Sequence, residues 1–80
     1  MKITVLFFGV ARELVGERQL AIELPAASKA GDLRLLLAER FPGLDSDLAY
    51  ALAINEKFCS DDRQLQEDDV AAVLPPVSGG

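Results

Sequence analysis

The amino-acid sequence predicts an α+β fold, with a mixed β-sheet and one main helix packed across it. Apolar runs that favour strands lie near both ends of the chain, at residues 2–8, 18–24 and 70–74. Between them, residues 28–41 form the one long segment with the period of a helix. The chain has 80 residues, 50% of them hydrophobic, which suits a single domain with one modest core.

The first strand is predicted over residues 2–8, which are rich in β-branched and aromatic side chains. Every second residue shares one face of this strand, namely Ile3, Val5 and Phe7. Leu6 and Phe8 make the opposite face apolar as well, which is typical of a strand covered on both sides. Residues 11–15 then favour a short helical segment that is closed by Gly16.

The second strand and the main helix follow. Residues 18–24 alternate between apolar and polar side chains, so we predict a half-buried strand whose inward residues are Leu20, Ile22 and Leu24. The helix is predicted from Ser28 or Lys29 to Phe41, and its apolar face consists of Ala30, Leu33, Leu36, Leu37 and Phe41. Ser28 is the predicted N-cap, Asp32 suits the helix dipole in the first turn, and Pro42-Gly43 ends the helix.

Shorter elements are predicted for the rest of the chain. They are a loop with one helical turn at 44–50, a hairpin at 52–59, a polar loop at 61–69 and a strand at 70–74. The hairpin turn begins with Asn55, a residue type that tolerates left-handed backbone angles. The polar loop surrounds a single leucine, Leu65.

This order of elements matches the β-grasp (ubiquitin-like) arrangement, in which the first and last strands are parallel neighbours and the helix lies in the concavity. We therefore predict a β-grasp domain over residues 1–76 and a flexible C-terminal diglycine tail over residues 77–80. Proline fixes φ, so Pro75-Pro76 should carry the tail stiffly away from the last strand. Gly79-Gly80 have no Cβ and can thread a slot that is too narrow for any other residue.

Composition excludes several classes of function. The net charge is −5 and there is no histidine, so no basic stripe exists to neutralise the phosphates of a nucleic acid, and a basic protein partner is favoured instead. No apolar run has the length needed to cross a bilayer, so we expect no membrane partner. A single cysteine forms no internal disulfide, which predicts a cytoplasmic protein.

Conventional catalytic and metal-binding groups are missing from the sequence. Without histidine there is no His-based triad and no histidine metal ligand, and Cys59 alone provides no thiolate cluster, so a packing role is predicted for it. The acidic runs at 61–62 and 67–69 lack the ligand spacing of a calcium loop, and no P-loop is present. We predict that this chain binds no metal and no cofactor.

The carboxylate of Gly80 is the remaining reactive group. If a partner adenylates it, the mixed anhydride is open to attack by a persulfide or a thiolate, and a terminal thiocarboxylate results. A chain with this chemistry is a carrier or cosubstrate, and it needs no catalytic side chains of its own. Whether it counts as an enzyme then depends on the complex that it joins.

Three segments of the sequence resemble the small, sulfur-carrying subunits of molybdopterin synthases, a ubiquitin-like family: residues 6–16, 31–33 and 74–80. The resemblance implies that an adenylating enzyme similar to ubiquitin-activating enzymes uses ATP to activate Gly80, and that a persulfide donor supplies the sulfur. It further implies a heterotetramer with a large catalytic subunit, in which the sulfur builds the dithiolene of molybdopterin from a cyclic pyranopterin monophosphate precursor. The family often has aromatic residues at Val73-Leu74 and glycine in the hairpin turn, and this sequence departs from it at both places.

The predicted site residues fall into two groups. Gly79 and Gly80 carry the chemistry, and the residues expected to contact a partner are Phe7, Phe58, Leu74, Pro75, Pro76, Val77 and Ser78. Phe7 suits a core position better than an interface, and Phe58 suits sheet packing and partner docking about equally. Three other functions are compatible with the same sequence: a sulfur carrier of thiamine biosynthesis, a ubiquitin-like protein modifier that forms isopeptide bonds with lysines, and a binding-only β-grasp module.

Overall fold

A computed structural model describes residues 1–44 and 48–76. Over these residues, five strands form one sheet in the order β2-β1-β5-β3-β4. The elements are β1 (Lys2–Phe7), α1 (Gly9–Val15), β2 (Gln19–Glu23), α2 (Ala30–Arg40), β3 (Ala51–Ile54), β4 (Lys57–Phe58) and β5 (Val70–Leu74). β1 and β5 are parallel neighbours at the centre, and the other pairs are antiparallel. The predicted α+β, β-grasp fold is confirmed.

The core lies between one face of the sheet and α2. The buried residues of the two central strands and the helix form one cluster that includes Ile3, Val5, Phe7, Ala30, Leu33, Leu37, Ala71 and Val73. The ring of Phe7 meets that of Phe41 edge to face, with the centroids 6.1 Å apart. The opposite face of β1 is not covered by any described residue: Leu6 is half-buried and Phe8 is 46% exposed. The prediction that β1 is covered on both sides is therefore wrong.

α1 is a short helix that lies between β1 and β2 in the chain. It is anchored by Ala11, which is fully buried, and it ends at Gly16, whose φ of +82° is left-handed. The N–H of Gly16 donates to the carbonyl oxygen of Arg12 at 2.8 Å. The predicted short helix and its glycine stop are confirmed, and the helix starts earlier than predicted, at Gly9.

The N-cap of α2 lies one residue later than predicted. Lys29, not Ser28, is the N-cap, so the prediction for Ser28 is wrong. The hydroxyl of Ser28 instead donates to the carbonyl oxygen of Pro25 at 2.7 Å, within the preceding turn. The carboxylate of Asp32 accepts the N–H of Lys29 at 2.8 Å, which stabilises the first turn of the helix.

The loop after β4 closes over the start of α2. The N–H of Ala30 donates to the carbonyl oxygen of Arg63, and the N–H of Gly31 donates to that of Asp61, both at 2.9 Å. The first N–H groups of a helix have no partner within the helix, so these carbonyls take the place of a side-chain cap. Leu65, the single leucine of this loop, is buried.

The hairpin of β3 and β4 has a two-residue turn in which Asn55 and Glu56 both have positive φ, 51° and 71°. Consecutive left-handed residues match the twist of the strands, so the predicted hairpin is confirmed. The side-chain oxygen of Asn55 accepts the N–H of Val70 at 3.0 Å, which ties the turn to β5. The helical turn predicted within 44–50 includes residues 45–47, which lie outside the described residues.

Candidate functional site

The face of the sheet that points away from α2 carries an apolar row across four strands. Its members are paired in register from β1 through β5 and β3 to β4, and they are Leu6, Ala72, Ala53 and Phe58. Paired residues project from the same face, and neighbouring strands lie roughly 4.8 Å apart, so the four side chains form a continuous band. We call this band the open-face row.

The open-face row has small side chains in the middle and large side chains at its ends. Ala53 and Ala72 each carry a single methyl group, and they are flanked by Leu6 on one side and Phe58 on the other. Phe58 is 74% exposed, an unusual position for a large aromatic side chain. The result is a shallow, mainly apolar groove, which we call the open-face groove. It is also lined by Phe8, Val70 and Leu74 and by two polar residues of the hairpin turn, Asn55 and Glu56.

The proline pair lies at one end of this groove. Pro75-Pro76 follow β5 directly, and they line an apolar depression together with Phe8, Phe58 and Leu74. β5 is held on both sides, by β1 and β3, so the prolines project from a central strand. The chain thus leaves the sheet at the edge of its exposed apolar surface.

Four of the predicted contact residues come together here: Phe58, Leu74, Pro75 and Pro76. Phe7 does not, because its side chain is 2% exposed and packs in the core, so the prediction that it contacts a partner is wrong. Its neighbour Phe8 faces the open side and was missed as a site residue. Val77, Ser78, Gly79 and Gly80 lie outside the described residues, and their predicted roles stay predictions.

The ionisable groups with displaced pKa values lie away from the groove and support the fold. Burial raises the pKa of the Tyr50 hydroxyl, although Arg34 opposes this with its charge and a hydrogen bond. The Arg34 guanidinium lies 4.7 Å from the centroid of the Tyr50 ring and donates from Nε to the carboxylate of Asp61 at 2.7 Å. Cys59 is half-buried beside the core, which agrees with the predicted packing role.

No conventional catalytic centre is evident in the part of the chain that the structure describes. Across residues 1–44 and 48–76, no three Cys, Asp or Glu side chains come together as a possible metal site. Neither described helix is long and apolar enough to cross a membrane. What these residues offer chemically is an apolar docking surface joined to a projecting proline pair.

Comparison with known proteins identifies relatives that match the whole chain. The model of the ThiS family matches residues 5–80. A molybdopterin synthase sulfur carrier subunit of Caenorhabditis briggsae is 35% identical over 83 residues, which cover 100% of this chain and 99% of the relative. A protein of the same name from Arabidopsis thaliana is 36% identical over 81 residues, covering 100% of this chain and 84% of the relative.

Solved structures share the fold. A putative molybdopterin converting factor subunit 1 from Pyrococcus furiosus superposes with a TM-score of 0.87 at 30% identity, covering 96% of this chain and 99% of that one. In a complex of subunits 1 and 2 of the molybdopterin-converting factor from Helicobacter pylori, the matching chain gives a TM-score of 0.71 at 32% identity, with both chains fully covered. SAMP1 from Haloferax volcanii reaches a TM-score of 0.88 with both chains fully covered, and at 21% identity this likeness shows the fold alone.

Proposed function

Since the chain belongs to the ThiS family, and its curated relatives are sulfur carrier subunits of molybdopterin synthase, we propose that it is itself such a subunit. One structural observation carries the proposal: the proline pair leaves the central strand β5 at the edge of the exposed open-face groove. A partner that covers the groove therefore receives residues 77–80 from a fixed starting point.

The reacting group in this proposal is the carboxylate of Gly80. Its oxygen attacks the α-phosphorus of ATP held by the adenylating partner, and pyrophosphate leaves. The terminal sulfur of a persulfide donor then attacks the acyl carbon, and AMP leaves. A second thiol attacks the donor's sulfur in the resulting acyl disulfide, forming a new disulfide and releasing the Gly80 thiocarboxylate. In this proposal the partners provide any acid, base or metal that these steps need.

The large catalytic subunit is the partner proposed for the open-face groove, in a heterotetramer. Exposed apolar patches of this kind mark protein interfaces, and large aromatic residues such as Phe58 commonly anchor the partner there. Inside the complex, the thiocarboxylate sulfur attacks a carbon of a cyclic pyranopterin monophosphate precursor and displaces an oxygen substituent. Water then hydrolyses the resulting thioester, which leaves the sulfur on the precursor and returns Gly80 to a carboxylate. The single thiol of the chain suits a reducing, cytoplasmic setting for this cycle.

Mass spectrometry after activation tests the proposal. The chain is incubated with its adenylating enzyme, ATP and a persulfide donor, and we expect a mass gain equal to one sulfur-for-oxygen exchange, which fragmentation places on Gly80. Deletion of Gly80 should abolish the gain and leave thermal unfolding unchanged. Sulfur on Cys59, or no sulfur at all, contradicts the proposal. Covalent conjugates on lysines would identify a protein modifier instead, and sulfur delivery to a thiazole precursor would identify the thiamine pathway.

A further inference from the structure

Asn55 begins the hairpin turn, and its side chain continues the pairing of β3 with β5 beyond the end of β3. The backbone N–H of Asn55 donates to the carbonyl oxygen of Val70 at 2.8 Å. The N–H of Val70 donates in return to the side-chain oxygen of Asn55 at 3.0 Å, where a continued ladder would use the backbone carbonyl. The side-chain amide of Asn55 also donates to the carboxylate of Asp69 at 2.9 Å. One residue of the turn thus makes three hydrogen bonds to the place where β5 begins.

Asp69, the acceptor of the third hydrogen bond, is itself held in place. Its buried carboxylate accepts the N–H of Gln66 at 2.8 Å and a guanidinium N–H of Arg63 at 3.2 Å. Its backbone carbonyl oxygen accepts the N–H of Thr4, in the central strand β1, at 3.0 Å. The hydrogen bonds of Asn55 therefore connect the hairpin turn to the centre of the sheet.

The strand β4, which carries Phe58, is held much less firmly. It consists of two residues that pair with β3, and it lies at the edge of the sheet, where no other described strand pairs with it. Beyond it, the N–H of Cys59 donates to the carbonyl oxygen of Leu52 at 3.4 Å, which is long for a hydrogen bond. The position of Phe58 therefore depends on the turn that leads into β4.

We propose that Asn55 and Asp69 are positioning residues of the docking surface, whose mutual hydrogen bond fixes the turn against β5 and thereby holds Phe58 where the large subunit binds it. This inference rests on the proposed function, because the position of Phe58 matters only if a partner covers the open-face groove. Both Asn55 and Phe58 line that groove. Without the hydrogen bond, β4 occupies its docking position for a smaller fraction of the time, and the apparent affinity falls in proportion to that fraction.

An exchange of the two side chains tests the hydrogen bond directly. Asn55→Asp places two carboxylates at the 2.9 Å contact, and it keeps an oxygen for the N–H of Val70. Aspartate, like asparagine, tolerates the left-handed φ of 51° at this position. The double variant Asn55→Asp/Asp69→Asn exchanges donor and acceptor, so the hydrogen bond forms again in the opposite direction. The amide oxygen at position 69 still accepts the N–H of Gln66.

The first readout is the Kd for the large subunit, measured by calorimetric titration. We expect Asn55→Asp to weaken binding about tenfold, and the double variant to bind within about threefold of wild type. In a Phe58→Ala background, Asn55→Asp should cause no further loss of affinity, because no aromatic ring is left to position. Gly31→Ala is the control for a general loss of stability, since it disturbs the start of α2 on the other face of the sheet, and its Kd should stay within about twofold of wild type.

The second readout needs no partner. Cys59 follows Phe58 directly, and its half-buried thiol donates to the carbonyl oxygen of Leu52 at 3.9 Å. Local opening of β4 exposes this thiol, the only one in the chain, to iodoacetamide. In the isolated protein, we expect the alkylation rate of Cys59 to rise about tenfold in Asn55→Asp and to return close to the wild-type rate in the double variant.

Five results would overturn the positioning role. They are a wild-type affinity for Asn55→Asp, a double variant as weak as the two single variants combined, full additivity with Phe58→Ala, an equal loss of affinity in Gly31→Ala, and an unchanged alkylation rate of Cys59 in Asn55→Asp. Failure of the proposed function has a different signature, in which the wild-type chain neither binds the large subunit nor acquires a thiocarboxylate. The docking role then falls as well, whereas the alkylation rates still show whether the hydrogen bond holds β4 in place.

Discussion

Asp69 shows how a single buried carboxylate is kept charged. Its side chain accepts the N–H of Gln66 at 2.8 Å, the side-chain amide of Asn55 at 2.9 Å and a guanidinium N–H of Arg63 at 3.2 Å. Burial alone would raise the pKa of Asp69, but these hydrogen bonds and the charge of Arg63 outweigh it, so the pKa lies below its ordinary value. The hairpin turn and the polar loop are joined through this one group.

Asp69→Asn should therefore lower stability in a pH-dependent manner. A carboxyl whose pKa is depressed by folding stabilises the folded state above its unfolded pKa, and the effect is lost as pH falls through the folded pKa. We expect the variant to be less stable at neutral pH by about 1–3 kcal/mol, and this gap should close as pH falls below about 4. Urea unfolding at a series of pH values measures it. A gap that persists unchanged at low pH would show that the charge of Asp69 is unimportant.

Phe7 and Phe8 show what the sequence reveals at the scale of a residue. The period of two assigns neighbouring residues to opposite faces of β1, and this was predicted correctly. It does not tell which face a helix covers, because both phenylalanines are equally apolar. Phe7 was therefore included among the predicted partner contacts, whereas the structure shows that Phe8 is the exposed phenylalanine of the two.

Among the elements, the start of α2 depends on a close approach between the helix and the loop after β4. A Cβ at Gly31 would lie 3.2 Å from Cβ of Asp61 and 3.3 Å from its carbonyl oxygen. That carbonyl accepts the N–H of Gly31, and the Asp61 side chain accepts a hydrogen bond from Arg34, so the loop has little room to withdraw.

Gly31→Ala should consequently destabilise the domain, although alanine is the better helix former. Overpacking at this contact should outweigh the helix propensity gained, for a net loss of about 1 kcal/mol in the free energy of unfolding. Chemical denaturation measures the loss, and the Asp61→Gly background is the control, since it removes the Cβ that Gly31→Ala would strike. Equal or higher stability of Gly31→Ala in the wild-type background would show that the loop gives way.

The same contact explains why element boundaries were only partly predictable. The apolar period located α2 within residues 28–41, and Ser28 is the usual kind of cap. The true partners of the first N–H groups are carbonyls of Asp61 and Arg63, about 30 residues further along the chain. A local pattern contains no information about such distant backbone contacts.

At the scale of the whole molecule, Phe58 should be the anchor of the open-face groove. Phe58→Ala should weaken binding to the large subunit about tenfold or more, because truncating an aromatic residue that an interface buries commonly costs about 2 kcal/mol or more. Leu35→Ala is the matched control, since Leu35 is 72% exposed against 74% for Phe58 and lies on α2, across the domain. Calorimetric titration of both variants measures the difference, and equal affinities would place the interface elsewhere.

Much of the whole fold could be predicted, because the strand and helix periods and the order of the elements are compatible with few folds other than the β-grasp. The groove could not, because it depends on register. Nothing in the sequence indicates that Ala53 and Ala72 are neighbours. Only strand pairing places them side by side between Leu6 and Phe58.

The pairing of β1 with β5 also has a consequence for how the chain folds. These strands come from opposite ends of the sequence, and their registry joins Thr4 to Val70 and Phe7 to Val73. Contacts of such long sequence separation form late and slowly, because a large loop must close before they can be made. The open-face groove spans both ends of the chain, so it does not exist until this closure is complete. Under the proposed function, docking therefore requires a completely folded chain, because a truncated or half-folded chain lacks the surface that the large subunit would bind.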